Sequence, residues 1–169
     1  KKIFLLILIF FPINSYGLIK VDITRGNLDP LPLAVSPLAI DENSKKEFKK
    51  ILNKENIGSE ISIIVEENLK TSGLFNPLDK EAFLQKPDIA NLKPRFEDWQ
   101  LIKAQALITG KVSFVDEKLR VEFRLWDILA GREMMALAFT TVPTNWRRVG
   151  HIISDKVYER LTGEKGYFD

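Results

Sequence analysis

Two hydrophobic periods divide the chain. Ile108, Val112 and Phe114 alternate with Thr109, Lys111 and Ser113. Leu119, Val121, Phe123 and Leu125 alternate with Arg120, Glu122 and Arg124, and Met135, Leu137 and Phe139 form a third such stretch. Period two marks strands with one buried face. Polar turns at Asp116-Glu117-Lys118 and Ala130-Gly131-Arg132 separate the three. The pattern predicts an antiparallel meander with one apolar and one mixed face.

The second period is helical. Ile61, Ile64, Val65 and Leu69 form one stripe, which predicts a helix over residues 59–72. Ser59 is its expected cap, Glu60 suits its positive end, Lys70 its last turn, and Gly73 ends it. Trp146, Val149, Ile153, Val157 and Leu161 form another stripe, with Thr144 as the expected cap after Pro143 and Gly163 as the stop. That helix is about 27 Å long, enough to cross a small sheet.

Shorter elements fill the gaps. Leu33-Ala34-Val35 reads as a central strand closed by Pro37, and Phe75-Asn76-Pro77-Leu78 as an edge strand. Residues 80–91 read as a helical turn and loop. Residues 97–104 read as a helix with Trp99, Leu101 and Ile102 inward. The lysine-rich stretch 41–57, with Phe48, Ile51 and Leu52 at helical spacing, reads as a surface helix or a mobile loop. The fold class is α+β: a mixed sheet with an antiparallel three-stranded meander and two long helices on one face.

The chain opens differently. Lys1 and Lys2 precede the apolar run from Ile3 to Phe11, which Pro12 and Asn14 break. The run covers less than half of a hydrocarbon layer about 30 Å thick. Ser15 and Gly17 are small residues placed for cleavage before Leu18. Residues 1–17 therefore read as a secretory signal peptide and, with no cysteine in the chain, the protein as an exported bacterial one. The mature chain has no predicted membrane span.

The remainder divides into residues 18–32, an N-terminal strand with a proline-containing linker, and residues 33–169, the α/β body. In the strand, Ile19, Val21 and Ile23 alternate with Lys20, Asp22 and Thr24. Such a tethered strand can pair with its own sheet or add to the sheet edge of another protein. The physics of these residues alone favours self-pairing.

Composition narrows the chemistry. The 169 residues, 45% of them hydrophobic, suffice for one domain with its own core. Net charge is +2, and loss of Lys1 and Lys2 leaves the mature chain neutral, so no nucleic-acid partner is expected. There is no cysteine, hence no disulfide, thiolate site or cysteine nucleophile. His151 is the one histidine, and with Asp155 four residues on it reads as a helix-surface or interhelix hydrogen bond rather than a catalytic pair. Arg147-Arg148 could grip an anion, but reads as a solvated helix face. Trp99, Trp126 and Trp146 could stack a ligand, but read as core or interface packing. The lysines of 41–57 could meet anionic lipid or nucleic acid, yet Glu42, Glu47 and Glu55 dilute them. No phosphate loop, dinucleotide fingerprint, nucleophile elbow or zinc-protease motif is present. The expectation is a non-enzyme with no catalytic, cofactor or metal residues. A stand-alone exported small-molecule-binding or enzymatic domain is the alternative.

Several stretches carry a family resemblance: Ile19-Lys20-Val21-Asp22-Ile23-Thr24-Arg25-Gly26; Asp29-Pro30 with Leu33-Ala34-Val35; Leu69-Lys70-Thr71-Ser72-Gly73-Leu74-Phe75; Ala106-Leu107-Ile108-Thr109-Gly110-Lys111-Val112; Leu125-Trp126-Asp127; and Trp146-Arg147-Arg148 through to Leu161-Thr162-Gly163. Together they resemble the amino-terminal domain of the TolB family of the Tol–Pal cell-envelope system. The resemblance implies a six-bladed β-propeller after this domain, which binds Pal, and an N-terminal strand that binds the C-terminal domain of TolA, the inner-membrane transducer. It also implies that binding of Pal at the propeller orders that strand against the body, and that other propeller ligands release it.

By position the TolA-binding residues are Leu18, Ile19, Lys20, Val21, Asp22, Ile23, Thr24, Arg25, Gly26, Asn27, Leu28 and Asp29. The chain stops at Asp169, about where the first propeller strand is expected, so Pal is a partner only if a propeller is present. A monomer is expected, with the strand free or weakly docked. The 41–57 connection looks longer than is usual in the family.

Overall fold

The computed structural model describes residues 19–21, 29–88 and 93–169. Six strands form one sheet: β1 (Leu31–Val35), β2 (Ala39–Ile40), β3 (Phe75–Pro77), β4 (Ala106–Val115), β5 (Lys118–Asp127) and β6 (Arg132–Thr141). Four α-helices accompany them among the described residues: α1 (Glu42–Leu52), α2 (Ile57–Thr71), α3 (Phe96–Leu101) and α4 (Trp146–Thr162). The order across the sheet is β3-β1-β4-β5-β6, with β2 also paired to β4. β1 runs parallel to β3 and β4, whereas β4, β5 and β6 are antiparallel. The α+β class with its meander is thus as expected.

The meander follows its alternation. Val121, Phe123 and Leu125 are buried on the helix side. On the far face Lys111 and Arg120 lie beside Glu122, and Arg124 pairs with Glu133 at 2.6 Å. The β4–β5 turn puts both Asp116 and Glu117 at positive φ, the twist that a two-residue hairpin turn demands.

α2 and α4 cover one face and share its core. Ile61, Val65 and Leu69 of α2 join Val149, Ile153, Val157 and Leu161 of α4 over β1, β4 and β5. A smaller cluster (Ala34, Trp99, Ala104, Leu107, Trp126 and Ile128) fills the opposite face under α3.

Several boundaries differ from the expectation. α2 starts at Ile57, so Ser59 lies inside it and caps nothing; Asn56 precedes the helix without a side-chain bond. Tertiary contact decides this start. Ser62 binds the Leu38 amide at 3.0 Å and the Ser36 carbonyl at 3.1 Å, which draws the first turn onto the β1–β2 connection. Thr144 is not a cap either: it sits in a 3₁₀ turn, Pro143–Asn145, ahead of α4. α3 ends at Leu101, whose side chain is 74% exposed rather than inward. The short helix buries only Trp99.

The lysine-rich stretch is a helix. Asp41 caps it, accepting from the Ser44 amide at 2.8 Å, and Phe48 is fully buried against Phe114. Lys45, Lys49, Lys50 and Lys54 pair with Glu42, Glu55, Glu47 and Glu60. The face is therefore largely self-neutralised.

Two stability outcomes follow. A Cβ at Gly58 would lie 2.2 Å from the Leu38 carbonyl oxygen, so Gly58→Ala must push α2 off the β1–β2 connection. Overpacking costs about 1–3 kcal/mol and outweighs the helix propensity gained; urea unfolding should show a lower midpoint. Hydrogen bonds from the Ser44 hydroxyl and amide hold the Asp41 carboxyl below the usual carboxylate range. A depressed folded pKa stabilises above the unfolded value and stops doing so as pH falls through the folded one. Asp41→Ala should cost about 0.5–2 kcal/mol at neutral pH, and its gap to wild type should close below roughly pH 4.

Candidate partner-binding site

Of the twelve residues singled out for partner binding, Ile19, Lys20, Val21 and Asp29 are described; Leu18 and residues 22–28 lie outside the described residues. Ile19 to Val21 are not a strand of the sheet. They lie across the C-terminal end of α4, docked rather than free. The Val21 amide donates to the Leu161 carbonyl at 2.8 Å, and the Val21 side chain is 8% exposed within the main core. Leu161 is in the last helical turn, where carbonyls lack intrahelical partners. The Ile19 amide donates to Asp127 Oδ2 at 3.3 Å. Ile19 packs against the same core, and Asp29 is exposed.

Beside this segment runs an open groove of about 540 Å³ between Met135 of β6 and Lys156, Glu159 and Arg160 of α4. Arg160 Nε donates to the Met134 carbonyl at 3.2 Å, which covers part of the β6 edge. A Cβ on Gly163, the left-handed residue that ends α4, would sit 3.5 Å from the Lys20 stem.

The other end of the chain meets the same helix. Residues 164–169 fold back along α4. Asp155 accepts from the Phe168 amide at 2.7 Å and from the Asp169 amide at 3.2 Å. Arg148 grips the Asp169 carboxylate through Nε and Nη2, which holds that carboxyl below its usual range. Tyr167 and Phe168 meet the Tyr158 ring edge-on at 5.4 and 5.9 Å. Burial pushes the Tyr158 hydroxyl pKa up.

The remaining candidates take structural places. His151 Nδ1 lies 2.9 Å from Asn68 Nδ2 of α2, an interhelix bond, while Asp155 holds the tail. Trp99, Trp126 and Trp146 are all buried. Trp99 donates to Gln85 and Trp126 to Thr109. Lys54 and Arg147 lie over the Trp146 ring. The small cavity beside Trp99 is about 20 Å³, room for one water. Among the described residues no group of three or more His, Asp or Glu could hold a metal, and no helix is long and apolar enough to cross a membrane.

Fold and site together define an α+β domain whose residues 19–21 rest outside the sheet, on the C-terminal end of α4. The chain belongs to the TolB amino-terminal domain family, whose model matches residues 19–134. It is 79% identical over 164 residues to the Tol-Pal system protein TolB of Pelagibacter ubique (strain HTCC1062). That match covers 97% of this chain and 37% of the relative, so the chain spans little more than a third of the curated protein. The crystal structure of TolB from Acinetobacter baumannii superimposes with a TM-score of 0.63 at 22% identity, over 82% of this chain and 30% of that one. The hypothetical protein CT253 from Chlamydia trachomatis shares the fold at a TM-score of 0.52 and 14% identity, over 80% of this chain and all of the other.

Sequence reasoning missed the anchoring role of Asp127 and the fold-back of residues 164–169 onto Asp155. Gly163 was the available signal for the second, since a left-handed residue reverses the chain at a helix end. Asp155→Ala should release the tail. Amide exchange at Phe168 and Asp169 should rise and the melting temperature fall, while the Asn68–His151 contact persists in NMR spectra.

Proposed function

We propose that this chain is the partner-binding amino-terminal domain of a periplasmic Tol–Pal protein, exported with cleavage near Gly17 and Leu18, and that it acts without catalysis. In this reading residues 18–29 are donated as an added strand to the C-terminal domain of TolA. A propeller following the domain would bind Pal, and the whole would couple the inner-membrane transducer to the outer envelope for integrity and division. The body, residues 33–169, serves as the platform.

The observation that carries the reading is the attachment of Ile19 to Val21. Hydrogen bonds from the Ile19 amide to Asp127 and from the Val21 amide to the Leu161 carbonyl, with the buried Val21 side chain, hold it, and it joins no strand among the described residues. Such a segment can leave without opening the sheet. Its alternating side chains then suit the edge of another sheet, where main-chain bonds supply affinity and alternate residues supply register.

The test is a calorimetric titration with the purified TolA C-terminal domain of the same organism. The protein should bind, and a variant starting at Leu31 should not. Equal binding by both would move the interface to the folded body, and binding by neither would remove TolA as partner.

A further inference from the structure

The carboxylate of Asp127 is 1% exposed at the end of β5. Its two oxygens serve different parts of the chain. Oδ1 accepts from the Ala130 amide at 2.8 Å and closes the β5–β6 turn. Oδ2 accepts from the Ile19 amide at 3.3 Å. Two residues on, Val21 donates to Leu161. In an added strand, amides two residues apart point to the same edge, so those of Ile19 and Val21 would be used together. That edge is committed to the body. Donation along it requires both bonds to break, so docking and donation compete.

We propose that Asp127 is the positioning residue that sets how often the N-terminal segment is available to a partner. This rests on the reading of residues 18–29 as the partner-binding element. A carboxylate is needed because it offers two acceptors. An asparagine keeps one oxygen for Ala130 and turns an N–H toward the Ile19 N–H, so the turn stays closed and the segment loses its hold. A hydrogen bond to a charged group controls roughly a tenfold change in a docking equilibrium. The apparent affinity of any partner is scaled by the undocked fraction.

The experiment is amide exchange by NMR on the full chain and on Asp127→Asn. The expected result is about tenfold faster exchange at Ile19 and Val21, with Ala130 still protected and the melting temperature nearly unchanged. Ile19→Pro deletes the donor without touching the carboxylate and should speed exchange at Val21 alike. It keeps the test open if Asp127→Asn fails to fold. Unchanged exchange at Ile19 and Val21 overturns the proposal. So does an equal rise at Ala130 and along β5 and β6, which would make Asp127 a general support of the hairpin. The TolA C-terminal domain should bind Asp127→Asn about tenfold more tightly. Faster exchange without a gain in affinity supports the Asp127 hold and overturns the donation reading instead.

Discussion

The close packing of α4 against α2 and the sheet is the constraint on which the rest depends. At Gly150 the two helices come so near that an added Cβ would stand 2.8 Å from Ile64 Cγ2. That approach lets Val149, Ile153, Val157 and Leu161 reach the same core as Ile61, Val65 and Leu69. Between the helices, Asn68 donates to Ser154 Oγ at 3.0 Å and meets His151 Nδ1 at 2.9 Å, so the polar groups trapped there are satisfied. The lone histidine is thereby part of the helix pair.

Because α4 is held this firmly, its surface can organise both ends of the described chain. Ile19 to Val21 rest on its C-terminal turn, and residues 164–169 return along Tyr158, Asp155 and Arg148. Tyr158 touches Phe75 of the edge strand as well as Tyr167 and Phe168. Residues 19–21 are held through spare acceptors, a helix-end carbonyl and half of a carboxylate, rather than through ladder bonds of the sheet.

Charge is kept local. Lys45, Lys49 and Lys50 of α1 pair with glutamates one turn or one loop away, and the far face of the meander pairs Arg124 with Glu133 and Arg120 with Glu122. Exposed pairs of this kind add little stability. Their effect is to dilute the positive charge of α1, in keeping with the small net charge of +2 on the chain.

The sequence by itself determined the meander, the stripes of α2 and α4, the central β1 and the edge β3. In each case the signal was local: period two or 3.6, ended by Gly73, Gly163 or a polar turn. The same patterning allowed Trp146 and His151 to be read as structural. Tertiary structure alone decided where elements begin and where residues 19–21 and 164–169 lie. Ser59 and Thr144 have good capping chemistry, yet the draw of Ser62 on Leu38 and the 3₁₀ turn after Pro143 set the actual starts. The alternation of Ile19, Val21 and Ile23 reads as a strand, but period two cannot name its partner. Whether such a segment joins its own sheet, another protein's sheet or a helix end depends on which acceptors are unsatisfied in the folded body, and Leu161 and Asp127 supply them only once α4 and the β5–β6 hairpin have come together.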